Sequence, residues 1–235
     1  EIDAPIIIES NICVHVRGAG GTHVSIKDNY DGRLFVVGNT VKMVGQTRFS
    51  DIGFVGGRYK NSANTNVFLD FANANDVEVR NCYFSGLAGS AIRVGAALAG
   101  EQYNVCIRDN WIYSGRNAHP SVELLAPSGA NSIWGADIEG NYFIATTSVS
   151  CIEISGGNVR GVNVRGNIFN KYGYYAGTGI VFRSGYSHVV SGNQFVLFNT
   201  AAKPIAFLPP SSNDFRSIVS GNAFGYSTSS NGIWV

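Results

Sequence analysis

The residues of this sequence best suited to chemistry form an evenly spaced series. Seven short segments, LDF (69–71), IRV (92–94), VEL (122–124), IEI (152–154), IVF (180–182), IAF (205–207) and IWV (233–235), each set one residue between two apolar ones. The middle residues are Asp70, Arg93, Glu123, Glu153, Val181, Ala206 and Trp234. A short strand with one buried face turns such a middle side chain outward. If the strands also stack, Glu123 and Glu153 become neighbours ~4.8 Å apart along the backbone, with Arg93 and then Asp70 beyond. Two carboxylates ~5 Å apart suit retaining cleavage of a glycosidic bond, and a wider pair such as Asp70 with Glu123 leaves room for the water of an inverting one. Proximity raises the pKa of one carboxyl, supplying an acid, while Arg93 keeps its neighbour ionised. The plainer alternative is a solvated face carrying charges, with Arg93 and Glu123 in a weak ion pair.

Stacking requires a repeat, and one is present. VRGNIF (164–169), VSGNQF (190–195), VSGNAF (219–224), IEGNYF (138–143) and IRDNWI (107–112) share an apolar residue, an outward position, a small or polar residue, Asn, and an aromatic or aliphatic residue two further on. Weaker copies are IKDNYD (26–31), FSDIGF (49–54) and VRNCYF (79–84). The Asn positions are 29, 52, 82, 110, 141, 167, 193 and 222, and Ile52 and Cys82 are the exceptions. Spacings of 23 to 31 residues are a solenoid period, and six asparagines at equivalent turns predict a ladder of side-chain amides. Apolar pairs before each turn, such as Val105 with Ile107 and Val162 with Val164, complete about three short strands per repeat. Three strands in ~26 residues cannot close a core alone, whereas stacked coils bury one continuous core. The expectation is an all-β chain: a right-handed parallel β-helix of about eight rungs, a single domain over residues 1–235.

Composition agrees and excludes several functions. The chain spends its polar residues on Asn, Ser, Thr and Gly, with 29 glycines, rather than on helix-forming surface residues. Net charge is +1 with no basic run, so nucleic acid is not an expected partner. No apolar stretch approaches the ~20 residues of a membrane span. Cys13, Cys82, Cys106 and Cys151 form no CxxC pair, and His15, His23, His119 and His188 form no HxH or HxxxH pair. Neither a metal nor another cofactor is expected. The chain has no initiating Met and ends in mid-rung at Ile233-Trp234-Val235, which suggests a segment of a longer chain or one capped by partners.

Further binding residues are sought in the loops between the Asn turn and the carboxylate strand. These supply Tyr113, Arg116, His119, Tyr172, Tyr174 and Tyr175, together with Trp111 and Tyr142. Exposed aromatic faces stack on sugar C–H surfaces, although Trp111 and Tyr142 suit packing on neighbouring rungs equally well. A second outward column, Lys27, Ser50, Arg80, Arg108, Glu139, Arg165, Ser191 and Ser220, offers affinity for an acidic glycan or a ladder neutralised by Glu139.

The stretch PIIIESNICVHVRGAGGTHVSI (5–26), with a strand, a G-x-G turn and a Thr before the next strand, and the GN-x-F turns from 138 onward resemble the pectate-lyase-like superfamily of β-helices. Within it, the short apolar strands and aromatic-rich, low-charge loops look most like bacteriophage tailspike and polysaccharide-depolymerase proteins. The resemblance implies that the strand after the loop borders a carbohydrate groove. It implies recognition and hydrolysis of a bacterial surface polysaccharide by a homotrimer, on a virion or outside the cell. Two alternatives stand beside that reading. One is a polysaccharide lyase acting on a uronate-containing glycan, with Arg93 as base, and the other is a non-catalytic structural or receptor-binding segment.

Overall fold

The structure is a computed structural model that describes residues 4–9, 13–19, 21–25, 32–56, 66–86, 89–97, 100–114, 119–127, 132–145, 149–156, 158–171, 177–196, 203–208, 216–225 and 233–234. The described residues contain strands and no helix. The strands form three parallel sheets of nine, eight and eight members, in which each strand is hydrogen-bonded to its counterpart one coil earlier and one coil later. The chain is therefore a parallel β-helix. The first wall, which carries the carboxylates, runs through Val67–Phe71, Ser90–Val94, Val122–Ala126, Ile152–Gly156 and Ile180–Phe182. The second, rich in arginine, runs through Thr47–Ser50, Val77–Arg80, Glu101–Arg108, Ser132–Glu139 and Asn158–Arg165. The third, rich in aromatics, runs through Gly53–Val55, Tyr83–Ser85, Trp111–Ser114, Tyr142–Ala145 and Ile168–Lys171.

The corner between the second and third walls explains the repeated motif. Each rung turns there through one residue with positive φ. That residue is Asp51, Asn81 or Asp109 in the early rungs and Gly140, Gly166, Gly192 or Gly221 in the later ones. Asp, Asn and Gly tolerate the left-handed region best, so the GN dipeptide reads as this bend followed by the ladder residue. Asn110, Asn141, Asn167, Asn193 and Asn222 then stack. Each side-chain amide donates to the Oδ1 of the next at 2.9–3.0 Å. The same Oδ1 atoms accept the backbone N–H of the preceding rung's ladder residue, beginning with Cys82. Every amide also donates to a backbone carbonyl, as Asn167 does to Ile138 at 2.8 Å.

Inside the coil the apolar residues stack in register. Phe143, Phe169, Phe195 and Phe224 form one column with centroids 4.8–5.2 Å apart, and Phe54 with Phe84 continue it at 4.9 Å. These are the aromatic residues two beyond each ladder position, and all but Phe224 are fully buried. Each such burial contributes roughly 1.5–3 kcal/mol.

The first rung differs from the sequence expectation. Arg17 pairs with Ser50 and His23 with Gly53, which makes Thr22 the counterpart of Ile52. Asn29 and Lys27 lie outside the described residues, and Arg17 takes the column position assigned to Lys27. The irregular first spacing of 23 becomes 30. Thr22, seven residues before Asn29, stands where the ladder amide is expected.

His188 is a buried polar residue in this core. Its ring stacks on Phe182 at 4.7 Å, one nitrogen faces the backbone N–H of Val162 at 3.4 Å, and the other faces the Ser184 carbonyl at 3.3 Å. Burial pushes its pKa from 6.5 down to about 4, against the hydrogen bond to Ser184. The unfolded chain therefore takes up this proton below about 6.5, whereas the folded imidazole stays neutral until about 4. Stability is complete above the first value and falls toward the second.

Two outcomes follow. Asn167→Ala lowers the urea-unfolding free energy by about 3 kcal/mol, and Asn222→Ala, at the less buried end, lowers it by about 1 kcal/mol. Acidification from pH 7 to pH 4 costs the native chain on the order of 3 kcal/mol more than it costs His188→Leu, measured by chemical denaturation at each pH.

Candidate functional site

The first wall brings the chemistry-bearing series together in exact register. Val36 pairs with Asp70, Asp70 with Arg93, Arg93 with Glu123, Glu123 with Glu153, Glu153 with Val181, Val181 with Ala206 and Ala206 with Trp234. Although these positions alternate away from the core, much of the column is covered: Asp70 is 0 %, Val181 4 % and Ala206 1 % exposed. Between them lies an accessible stretch. The side chains of Arg93 and Glu153 are 25 % and 18 % exposed, and Glu123 is half-buried. The column thus opens at Arg93, Glu123 and Glu153.

The three carboxylates have different surroundings. Asp70 is enclosed by two arginines: Arg93 donates Nε to Oδ1 at 3.2 Å and Nη2 to Oδ2 at 2.8 Å, and Arg33 donates Nη1 to Oδ2 at 3.1 Å. A fully buried, doubly paired carboxylate does not reach a glycan, so Asp70 anchors Arg93 instead of serving as an acid. The Asp70–Glu123 pair therefore does not present two accessible carboxylates.

Glu123 has the opposite environment. Among the described residues its carboxylate accepts no hydrogen bond. Burial pushes its pKa above the ordinary glutamate value, Arg93 and His119 oppose the shift, and Glu153 and Asp70 add to it. Glu153 is held in place: Arg183 donates Nε to Oε1 at 2.9 Å, and the Ser150 hydroxyl lies 3.4 Å from Oε2. For Arg93, burial works against its charge, but the hydrogen bonds and charge of Asp70, with Glu123, carry its pKa upward.

Of the expected binding residues, His119 is half-buried and close enough for its charge to act on Glu123. Tyr113 lies on the third wall, paired with Ser85 and Ile144, and not on the carboxylate wall. Arg116, Tyr172, Tyr174 and Tyr175 lie outside the described residues. On the third wall the Trp111 and Tyr142 rings pack at 4.6 Å, tilted by 37°, yet Trp111 remains 47 % and the adjoining Tyr83 40 % exposed. Cross-rung packing and exposure therefore coexist there.

The arginines of the second wall's outward column are paired. Glu78 binds Arg48 at 3.1 Å, Arg80 at 3.8 Å and also Arg108, while Glu139 binds Arg165 at 3.1 Å. Among the described residues no three His, Cys, Asp or Glu side chains converge as a metal site would require. Sequence reasoning missed Arg183, which directly follows the segment 180–182, and Arg33. Nothing in the repeat marks either.

The chain matches no protein-family model, no curated protein and no solved structure.

The site yields a titration test. Carboxyl-carbon NMR places the Glu123 midpoint above that of an ordinary glutamate. Arg93→Gln moves it further up, because a favourable charge is lost, and Glu153→Gln moves it down, because a like charge is lost. A Glu123 midpoint at or below the ordinary value contradicts this electrostatic account.

Proposed function

We propose that the chain binds a polysaccharide along the first wall and hydrolyses it with Glu123 as general acid and Glu153 as nucleophile. The observation that carries this reading is that two carboxylates on consecutive rungs, in the accessible part of the wall, have contrasting environments. Burial raises the Glu123 pKa, which favours the protonated form that a leaving oxygen needs. Glu153, steered by Arg183, presents Oε2 to the anomeric carbon. The rung spacing of ~4.8 Å falls near the carboxyl separation of ~5 Å at which the second carboxylate attacks directly. The glycosyl–Glu153 ester would then be cleaved by a water that the Glu123 carboxylate deprotonates, giving net retention.

A lyase is less well supported. Its base must release a proton, and the bidentate Asp70 contact holds Arg93 protonated. The parallel β-helix is the architecture that the tailspike-like reading requires. On that reading the chain acts outside a cell or on a virion, as a trimer of parallel rods against a bacterial surface glycan.

Assayed on capsular and O-antigen polysaccharides, Glu123→Gln and Glu153→Gln each lower cleavage by roughly 10²-fold or more, while Glu139→Gln leaves it unchanged. NMR of the first product shows the retained anomer. Binding with no shortening of any glycan by the unsubstituted chain would assign this wall to recognition alone.

A further inference from the structure

Between the first and second walls the longer rungs add a narrow fourth facet. Asn104, Gly135, Gly161 and Ser187 all have positive φ, at 56°, 71°, 65° and 60°, and bend successive rungs at the same place. The residues before the bend stack in register, Tyr103 beside Trp134, Trp134 beside Arg160 and Arg160 beside Tyr186. The Arg160 guanidinium lies 4.2 Å from the Trp134 ring centroid and 4.7 Å from that of Tyr186. Tyr103 and Tyr186 are 42 % and 37 % exposed.

Arg160 differs from the arginines of the second wall's outward column because it has no carboxylate partner among the described residues. Its Nε and the Trp134 Nε1 are buried without a hydrogen-bond acceptor. Glu101, on the strand that bears Tyr103, accepts the Tyr103 hydroxyl. Both atoms are closed to solvent, so an incoming carboxylate would meet the guanidinium at its Nη groups. Two aromatic rings hold the guanidinium plane, and a held fork suits bidentate capture of a planar carboxylate.

The facet shares its rungs with the proposed site. The strand bearing Glu123 continues into that bearing Trp134, and the strand bearing Glu153 continues into that bearing Arg160. We infer that Arg160, with Trp134 and Tyr186, forms a subsite for the carboxylate of an acidic sugar, and hence that the glycan handled by this chain carries uronate-type residues. The assignment of substrate class rests on the hydrolytic reading; the binding of an acidic sugar at Arg160 does not. Tyr103 and Tyr186 provide faces for the pyranose rings that flank the charged one.

The test uses the Glu123→Gln chain, so that bound glycan persists, and oligosaccharides of galacturonate, glucuronate and mannuronate, each beside its carboxyl-reduced form. Calorimetry should show the carboxyl-reduced form binding at least about tenfold more weakly than the uronate form. Arg160→Gln should abolish that preference, and Arg165→Gln, whose partner is Glu139, should keep it. Equal affinity for the two forms, no binding of any uronate oligosaccharide, or a preference unchanged in Arg160→Gln overturns the inference. Sedimentation that finds Arg160→Gln dissociating an oligomer, with glycan binding unaltered, also overturns it and assigns the facet to contact between copies of the chain. Cleavage surviving in Glu123→Gln removes the hydrolytic reading without touching the Arg160 result. Equal affinity for the two forms in the chain that retains Arg160 removes only the subsite.

Discussion

The whole molecule depends on neighbouring coils keeping the same register. Because strands pair in parallel with no slip, a residue's neighbours are set by addition of one repeat length. The period varies from 26 to 31 residues, so length alone cannot hold the register. The amide ladder supplies the constraint at one corner. Each ladder asparagine satisfies a side-chain amide, a backbone N–H and a backbone carbonyl on adjacent rungs, and a one-residue slip would leave all three unpaired inside the protein. Insertions are consequently confined to the loops, while the walls remain aligned.

That alignment converts separations in sequence into a line of side chains. On the first wall the line alternates in kind: Asp70 is sunk between arginines, Glu123 is half-buried and poorly compensated, and Glu153 is held by Arg183. Burial, not mutual repulsion, is the largest influence on Glu123, with Glu153 a smaller one. Two identical side chains on consecutive rungs thus differ because of what surrounds them, which is the physical requirement for one to donate a proton while the other attacks.

The periodic part of this arrangement was readable in the sequence. The Asn position, the aromatic two residues later and the apolar–outward–apolar segment recur strongly enough to establish the coil, the ladder from Asn110 to Asn222 and the register of Asp70, Arg93, Glu123 and Glu153. The first rung departs from the Asn-centred repeat because Thr22, which follows the G-x-G turn, carries no ladder amide. Burial was the harder property. Asp70 occupies an outward position yet is fully enclosed, and Lys171 ends a strand of the third wall yet is 2 % exposed. Asp70 is covered by Arg33 and Arg93 reaching across rungs, whereas Lys171, two residues after Phe169, lies on the inward side of its strand and donates Nζ to the Val149 carbonyl at 3.2 Å. Arg33, Arg183 and Arg160 escaped notice because each acts across rungs, from positions where arginine does not recur.

The claim on which everything else rests is that Glu123 and Glu153 occupy adjacent places on one wall. Parallel neighbours fall within the Cα separation of roughly 4.4–6.8 Å that a disulfide spans, and residues two rungs apart do not. Mild oxidation of Glu123→Cys/Glu153→Cys, with the cross-linked peptide identified by mass spectrometry, should join positions 123 and 153 within one chain. Under the same conditions Glu123→Cys/Val181→Cys should remain unlinked. A bond in the second variant, or none in the first, would contradict the register and with it the site.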